Sequence, residues 1–282
     1  MSSLNDTVAA GYYEPLFGLS WYPDRLDNLW LAHLHEIVYA FIFYQVCQYT
    51  IAPKINRYFF GKHYSDITDK KLKLDFDVHT VSMIQAVISI AILLPVLALP
   101  FDLNIATYVN PWCSMVSALS CGYFVWDLAL CLRHFSIYGF EFLFHAVGSL
   151  VVMLAILTPF CQPWVGKYLL FEASTPFVNM NWYTIQLNHK HKSSSGPVIP
   201  NWLNMINGLL LLLTFFGVRI VWGWSCNLLL LRQFWRARYE LPYLAGAVVL
   251  SLNITMSLLN VFWFSKMLKI AKKMASPSKK QD

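Results

Sequence analysis

The sequence predicts an all-α integral membrane protein with about seven transmembrane helices, and three observations carry that prediction. Of its 282 residues 57% are apolar and 13% charged, about half the charged share of a soluble domain, whose surface must face water. Apolar runs long enough to cross a bilayer, which takes about 20 residues, recur along the chain. Aromatic side chains make up 16%, with 11 Trp, as suits groups gathered at lipid–water interfaces.

Six segments qualify as spans: residues 29–51, 78–99, 112–132, 140–157, 205–230 and 244–264. A further stretch, 164–187, is mixed, with Glu172, Pro176, Asn179 and Asn181 among its apolar residues. Loop charge decides whether it crosses, because Lys and Arg stay on the cytosolic side. Lys54, Arg57, Lys62, Lys70, Lys71 and Lys73 make 52–77 a cytosolic basic loop, while 1–28 holds only Arg25 and reads as a lumenal tail. The C-terminal residues 266–282 carry Lys266, Lys269, Lys272, Lys273, Lys279 and Lys280 and read as cytosolic. A lumenal start and a cytosolic end require an odd number of crossings, so 164–187 is counted as the seventh span. Arg232, Arg236 and Arg238 then fall in a lumenal loop, against the charge rule.

Residues 1–20 lack a basic start and an apolar stretch, so no cleavable signal peptide is read and the first span serves as an anchor. Asn5, Asp6 and Thr7 form a glycosylation sequon in the lumenal tail. Lys279 and Lys280, fourth and third from the C-terminus, resemble the dilysine retrieval signal that coat complexes recognise on endoplasmic reticulum membrane proteins. The net charge of +6 sits in short clusters beside apolar runs, which marks topology and excludes a nucleic-acid partner. The six cysteines form no CxxC pair and read as small packing residues, and no cofactor or metal is assigned. His33 and Glu36 share a helix face, the spacing of a metal pair, but at the lumenal opening of the first span they read as solvated.

Ionisable groups inside spans cost about 2.5–3.5 kcal/mol each on insertion scales and usually face the protein interior. Glu36, Asp127, Glu141, His145, Glu172 and Arg219 are such groups. Asp127 lies nine residues before Ser136, and His145 nine after it. In an antiparallel hairpin both sit roughly 13 Å from the turn, at one depth. An Asp beside a His can orient an imidazole for general-base or nucleophilic chemistry, or simply hold two helices together. Arg219 falls near mid-bilayer and needs a carboxylate, with Asp127 and Glu172 as candidates, or a watery cavity in which it anchors a lipid phosphate or carboxylate. Pro176 should interrupt the 164–187 helix, and Glu172, Ser174, Thr175 and Asn179 around it should line the bundle interior.

Several of these residues stand in motifs. They are Gly122 to Asp127 (GYFVWD), Phe144-His145 with Ser149-Leu150, and Leu170 to Asn179 (LFEASTPFVN) with Trp182. Further on come Ile206-Asn207-Gly208, Val218-Arg219-Ile220 and Asn260 to Trp263 (NVFW). In this order, over about 78–273, they resemble the TLC-domain family of ceramide synthases and translocating-chain-associated membrane proteins, and above all the small TLC-domain-containing proteins. The resemblance implies a TLC domain over 78–265, six helices around a central cavity open to lipid, with 29–51 as an additional helix. In ceramide synthases two adjacent histidines carry acyl transfer from acyl-CoA; here position 144 is Phe and only His145 remains.

The favoured expectation is an endoplasmic reticulum protein of lipid homeostasis that binds a membrane lipid or acyl chain through Arg219, Glu172, Ser174 and Asn179. The first alternative is an acyltransferase using acyl-CoA as cosubstrate, with His145 as base or acyl carrier and Asp127 orienting it. The second is a non-enzymatic cargo receptor or folding aid.

Overall fold

The computed structural model describes residues 14–158, 160–190 and 197–275, so Asn5, Lys279 and Lys280 lie outside the described residues. All regular structure among those residues is helical. We number the main helices α1 (Leu34–Val46), α2 (Ala52–Phe60), α3 (Lys70–Leu97), α4 (Pro111–Arg133), α5 (Phe135–Ile156), α6 (Thr175–Lys190), α7 (Asn201–Phe215), α8 (Gly223–Arg236) and α9 (Tyr243–Ala275). Wide π-helical turns, Cys47–Ile51 and Phe216–Trp222, join α1 to α2 and α7 to α8. Among the described residues five helices are long and apolar enough to cross a membrane: α3, α4, α5, α7 through α8, and α9.

The two other expected spans are interrupted. Residues 29–51 divide into a short helix, Leu29–Ala32, then α1 and the first wide turn. Residues 164–187 begin with Val165–Leu169 and a 3-10 segment, Leu170–Ser174, before α6. The break precedes Pro176, which opens α6 as its second residue. A proline there loses nothing, because first-turn N–H groups have no helical partner. The expected basic loop 52–77 is largely helical, comprising α2, Lys62–Ser65 and the start of α3.

Helix α4 is the most enclosed, with 61% of its span stretch buried against 22% in α5. Asn110 begins it, accepting from the N–H groups of Trp112 and Cys113 at 2.9 and 3.3 Å. Helix α4 packs between α1 and α5. Its approach to α1 is set by Gly122, where a Cβ would lie 2.5 Å from the Ile37 carbonyl oxygen and 2.5 Å from Ala40 Cβ. Small residues at such contacts let backbones meet where lipid offers no hydrophobic drive between helices. Polar groups then tie α2, α3 and α6: Asn56 and Tyr64 both donate to Asp77, at 2.9 and 2.7 Å, and Thr80 bonds Asn56 and Tyr183 at 2.7 and 2.6 Å. All six cysteines are buried and unpaired.

Helix α5 bends at Gly139, whose φ of 69° and ψ of −169° lie where L side chains are strained. The bend leaves Tyr138 donating to Asp75 on α3 at 2.9 Å. A Cβ at Gly139 meets nothing within 4 Å, so Gly139→Ala isolates the backbone penalty. We expect a loss of about 1–3 kcal/mol, read as a lower melting temperature in detergent; an unchanged melting temperature contradicts this backbone.

The start of α1 corrects one sequence expectation. His33, His35 and Glu36 are not solvated; each is 0% exposed. Residues 14–19 fold back over them, with Glu14 itself 1% exposed and a 3-10 turn at Phe17–Leu19. Ser20 Oγ donates to the Ala32 carbonyl at 2.7 Å and pins this segment down. Burial, with Glu36 beside it, pushes the Glu14 carboxyl up to about 7.

Candidate functional site

One cavity runs between α3, α4, α5, α6, the α7–α8 turn and α9, with a volume of about 380 Å³. Much of its wall is apolar, including Val78, Leu130, Phe142, Phe215, Met267 and Ile270. Asp127, His145, Glu172 and Arg219 converge on it, each from a different element.

Each of the four is positioned by its own element. Asp127 stands on α4 one residue after Trp126, whose indole donates to Gln48 Oε1 at 2.9 Å and fixes that face. His145 sits on α5 beyond the Gly139 bend, edge-on to Phe124 and Trp263 with ring centroids 6.2 and 5.8 Å away. Glu172 lies in the 3-10 segment before α6. Arg219 is in the wide turn Phe216–Trp222 and is 8% exposed.

The common depth expected for Asp127 and His145 brings them to one cavity, but no hydrogen bond joins them. The other hydrogen-bonding side chain at Asp127 is Cys131, whose Sγ lies 3.9 Å from Oδ1. Depth along a helix does not fix rotation about its axis, so the direct pair could not be read from residue counting.

Arg219 also departs from one expectation: it forms no ion pair among the described residues. Its Nε donates to Ser174 Oγ at 2.8 Å, and its two terminal nitrogens donate to Thr175 Oγ1 at 3.2 Å and Asn260 Oδ1 at 3.3 Å. Phe215 stacks beneath it, 5.2 Å from Cζ to the ring centroid. Three neutral oxygens therefore orient a guanidinium whose charge they do not cancel. A guanidinium has five N–H donors in a fixed fork, so two remain for a ligand. Ser174 acts here from behind the arginine, off the cavity wall.

Asn179 lines the cavity and is occupied by its neighbours. Its Oδ1 lies 2.7 Å from His79 Nδ1, and its Nδ2 donates to Ser82 Oγ at 3.2 Å. His79 is a cavity residue that the sequence reading passed over. It stacks on Trp182 with centroids 3.9 Å apart, and the Asn179 contact aims its ring. At the rim, Lys266 pairs with Glu141 at 3.2 Å, and the Trp263 indole donates to the same carboxylate at 3.2 Å.

Residues 75–269, spanning every helix that lines the cavity, match the family model of the TLC domain. The chain belongs to the TLC domain family. Topoisomerase I damage affected protein 4 of Saccharomyces cerevisiae is 53% identical over 99% of this chain and 98% of its own length. A TLC domain-containing protein of Schizosaccharomyces pombe is 32% identical over 88% of this chain and 82% of its own. TLC domain-containing protein 4 of Homo sapiens is 29% identical over 55% of this chain and 56% of its own. The cavity of this TLC domain protein thus lies, but for Ile270 at its edge, within the matched residues, whereas α1 and the folded-back segment before it precede them.

Proposed function

We propose that this TLC domain protein acts in membrane lipid homeostasis in the endoplasmic reticulum by holding a lipid or acyl chain in the cavity, with the acidic head of the ligand on Arg219. The observation that carries the reading is a buried guanidinium held only by neutral oxygens, facing an apolar-walled space. A buried cation with no carboxylate in direct contact is expensive even where Asp127 and Glu172 share the cavity, and an entering phosphate or carboxylate would supply that contact bidentately. The apolar wall suits the tail. The endoplasmic reticulum location and cytosolic C-terminus rest on Lys279, Lys280 and the basic residues of 52–77 and 266–275.

Acyl transfer is the less favoured chemistry. His145 as base would need Asp127 to orient it, and the two share the cavity without a hydrogen bond. Native mass spectrometry of the full chain released from mild detergent tests the binding reading. The expected spectrum shows one retained lipid or fatty acid per chain; a chain that carries none, even after incubation with anionic lipid vesicles, would refute it.

A further inference from the structure

Three buried polar atoms find no partner outside their own cluster among the described residues: Glu14 Oε1, Glu36 Oε1 and His35 Nδ1; the Glu14 and Glu36 carboxyls lie against each other, within reach of one shared proton. All three belong to one cluster, well apart in sequence from the cavity residues, where residues 14–19 cover the start of α1. One ligand atom from each of Glu14, His35 and Glu36 can be drawn within 4.8 Å of the others. Unpaired buried polar atoms are rare in folded chains, and each calls for an explanation.

The partnered atoms of the same side chains sharpen the point. Glu14 Oε2 accepts from the Leu16 N–H at 2.7 Å, and Glu36 Oε2 lies 2.9 Å from His33 Nδ1. His35 Nε2 is 3.1 Å from the Leu16 carbonyl and 3.8 Å from Glu36 Oε1. Each carboxylate is thus anchored by one oxygen while the other is left facing the cluster. Outer contacts of this kind, to a backbone group or a histidine, are how proteins hold metal ligands in place. No Lys or Arg pairs with either carboxylate among the described residues. Two carboxylates and an imidazole nitrogen form a borderline donor set, suited to zinc, iron(II) or manganese(II) rather than to thiolate-seeking ions.

The geometry points to a site for a divalent transition-metal ion of the zinc type, bound by Glu14, His35 and Glu36 and clipping residues 14–19 to the start of α1. Its charge balances the two carboxylates. Three protein ligands leave a fourth position for water. The competing occupant is a single proton shared by the two carboxyl groups, which would neutralise one of them and hold no metal.

The full chain purified in detergent, stripped with chelator, reloaded with Zn²⁺ and passed through gel filtration decides between them. Elemental analysis should find one zinc per chain. X-ray absorption at the zinc edge should show only nitrogen and oxygen neighbours at about 2.0–2.2 Å. Glu36→Gln and His35→Gln should each lower zinc retention by at least about tenfold. Glu14→Gln, outside the spans, serves as a further variant if those two misfold. No retained zinc, iron or manganese would overturn the site in favour of the shared proton. Sulfur in the zinc shell would move the ion to the cysteines, and undiminished retention in all three variants would equally overturn the assignment.

Discussion

Arg219→Gln is expected to abolish ligand retention while leaving a folded chain. Glutamine keeps a polar group near Ser174 and Thr175 but removes the charge and the planar fork. Hydrogen bonds to charged groups contribute about 1.5–3 kcal/mol each, so losing one or two to an acidic head should weaken binding by about 10- to 10,000-fold. Arg219→Lys should fall between, because it keeps the charge and loses the bidentate geometry. Lys266→Gln, at the half-exposed rim pair with Glu141, should change retention little, since such pairs contribute about 0–1 kcal/mol. The measurement is ligand occupancy by native mass spectrometry at matched protein recovery. Wild-type occupancy in Arg219→Gln would remove the anchor from the proposal.

The second large effect is steric. Gly122→Ala would place a Cβ 2.5 Å from the Ile37 carbonyl oxygen and 2.9 Å from the Phe41 nitrogen. Those are backbone atoms of α1, which cannot rotate aside as a side-chain tip can, so α1 itself must move off α4. Overpacking of this kind costs about 1–3 kcal/mol or more. The internal control is Gly208→Ala, where a Cβ meets nothing within 4 Å and alanine's better helix propensity should be neutral or slightly stabilising. Melting followed by fluorescence-detected gel filtration should show Gly122→Ala several degrees below Gly208→Ala. Equal melting temperatures would contradict the close approach of α1 to α4.

Sequence reading reached the bundle and most of the cavity because it used terms that act along one helix. An ionisable residue in an apolar run must face inward whatever its neighbours, so Asp127, His145, Glu172 and Arg219 could be singled out one by one. What it missed depends on rotation and on contacts between distant elements. Arg219 was expected to seek Asp127 or Glu172; Ser174, Thr175 and Asn260, from 41 to 45 residues away, hold it instead. His79 was passed over because its role depends on Asn179 and Trp182, about a hundred residues on. His33, His35 and Glu36 were assigned to water because periodicity says nothing of a preceding segment that folds back to cover them.

The wide turn at Phe216–Trp222 makes the arginine's direction a matter of rotational phase. A π turn behaves as one extra residue fitted into an α-helix, so it offsets everything beyond it by about 100° around the axis. Deleting Gly217 or Val218 would restore a regular helix of nearly the same length and hydropathy. Yet the deletion would straighten the turn that presents Arg219 and draw its guanidinium off the Ser174, Thr175 and Asn260 oxygens. In such a variant the membrane-crossing character of α7–α8 and the binding character of Arg219 would come apart.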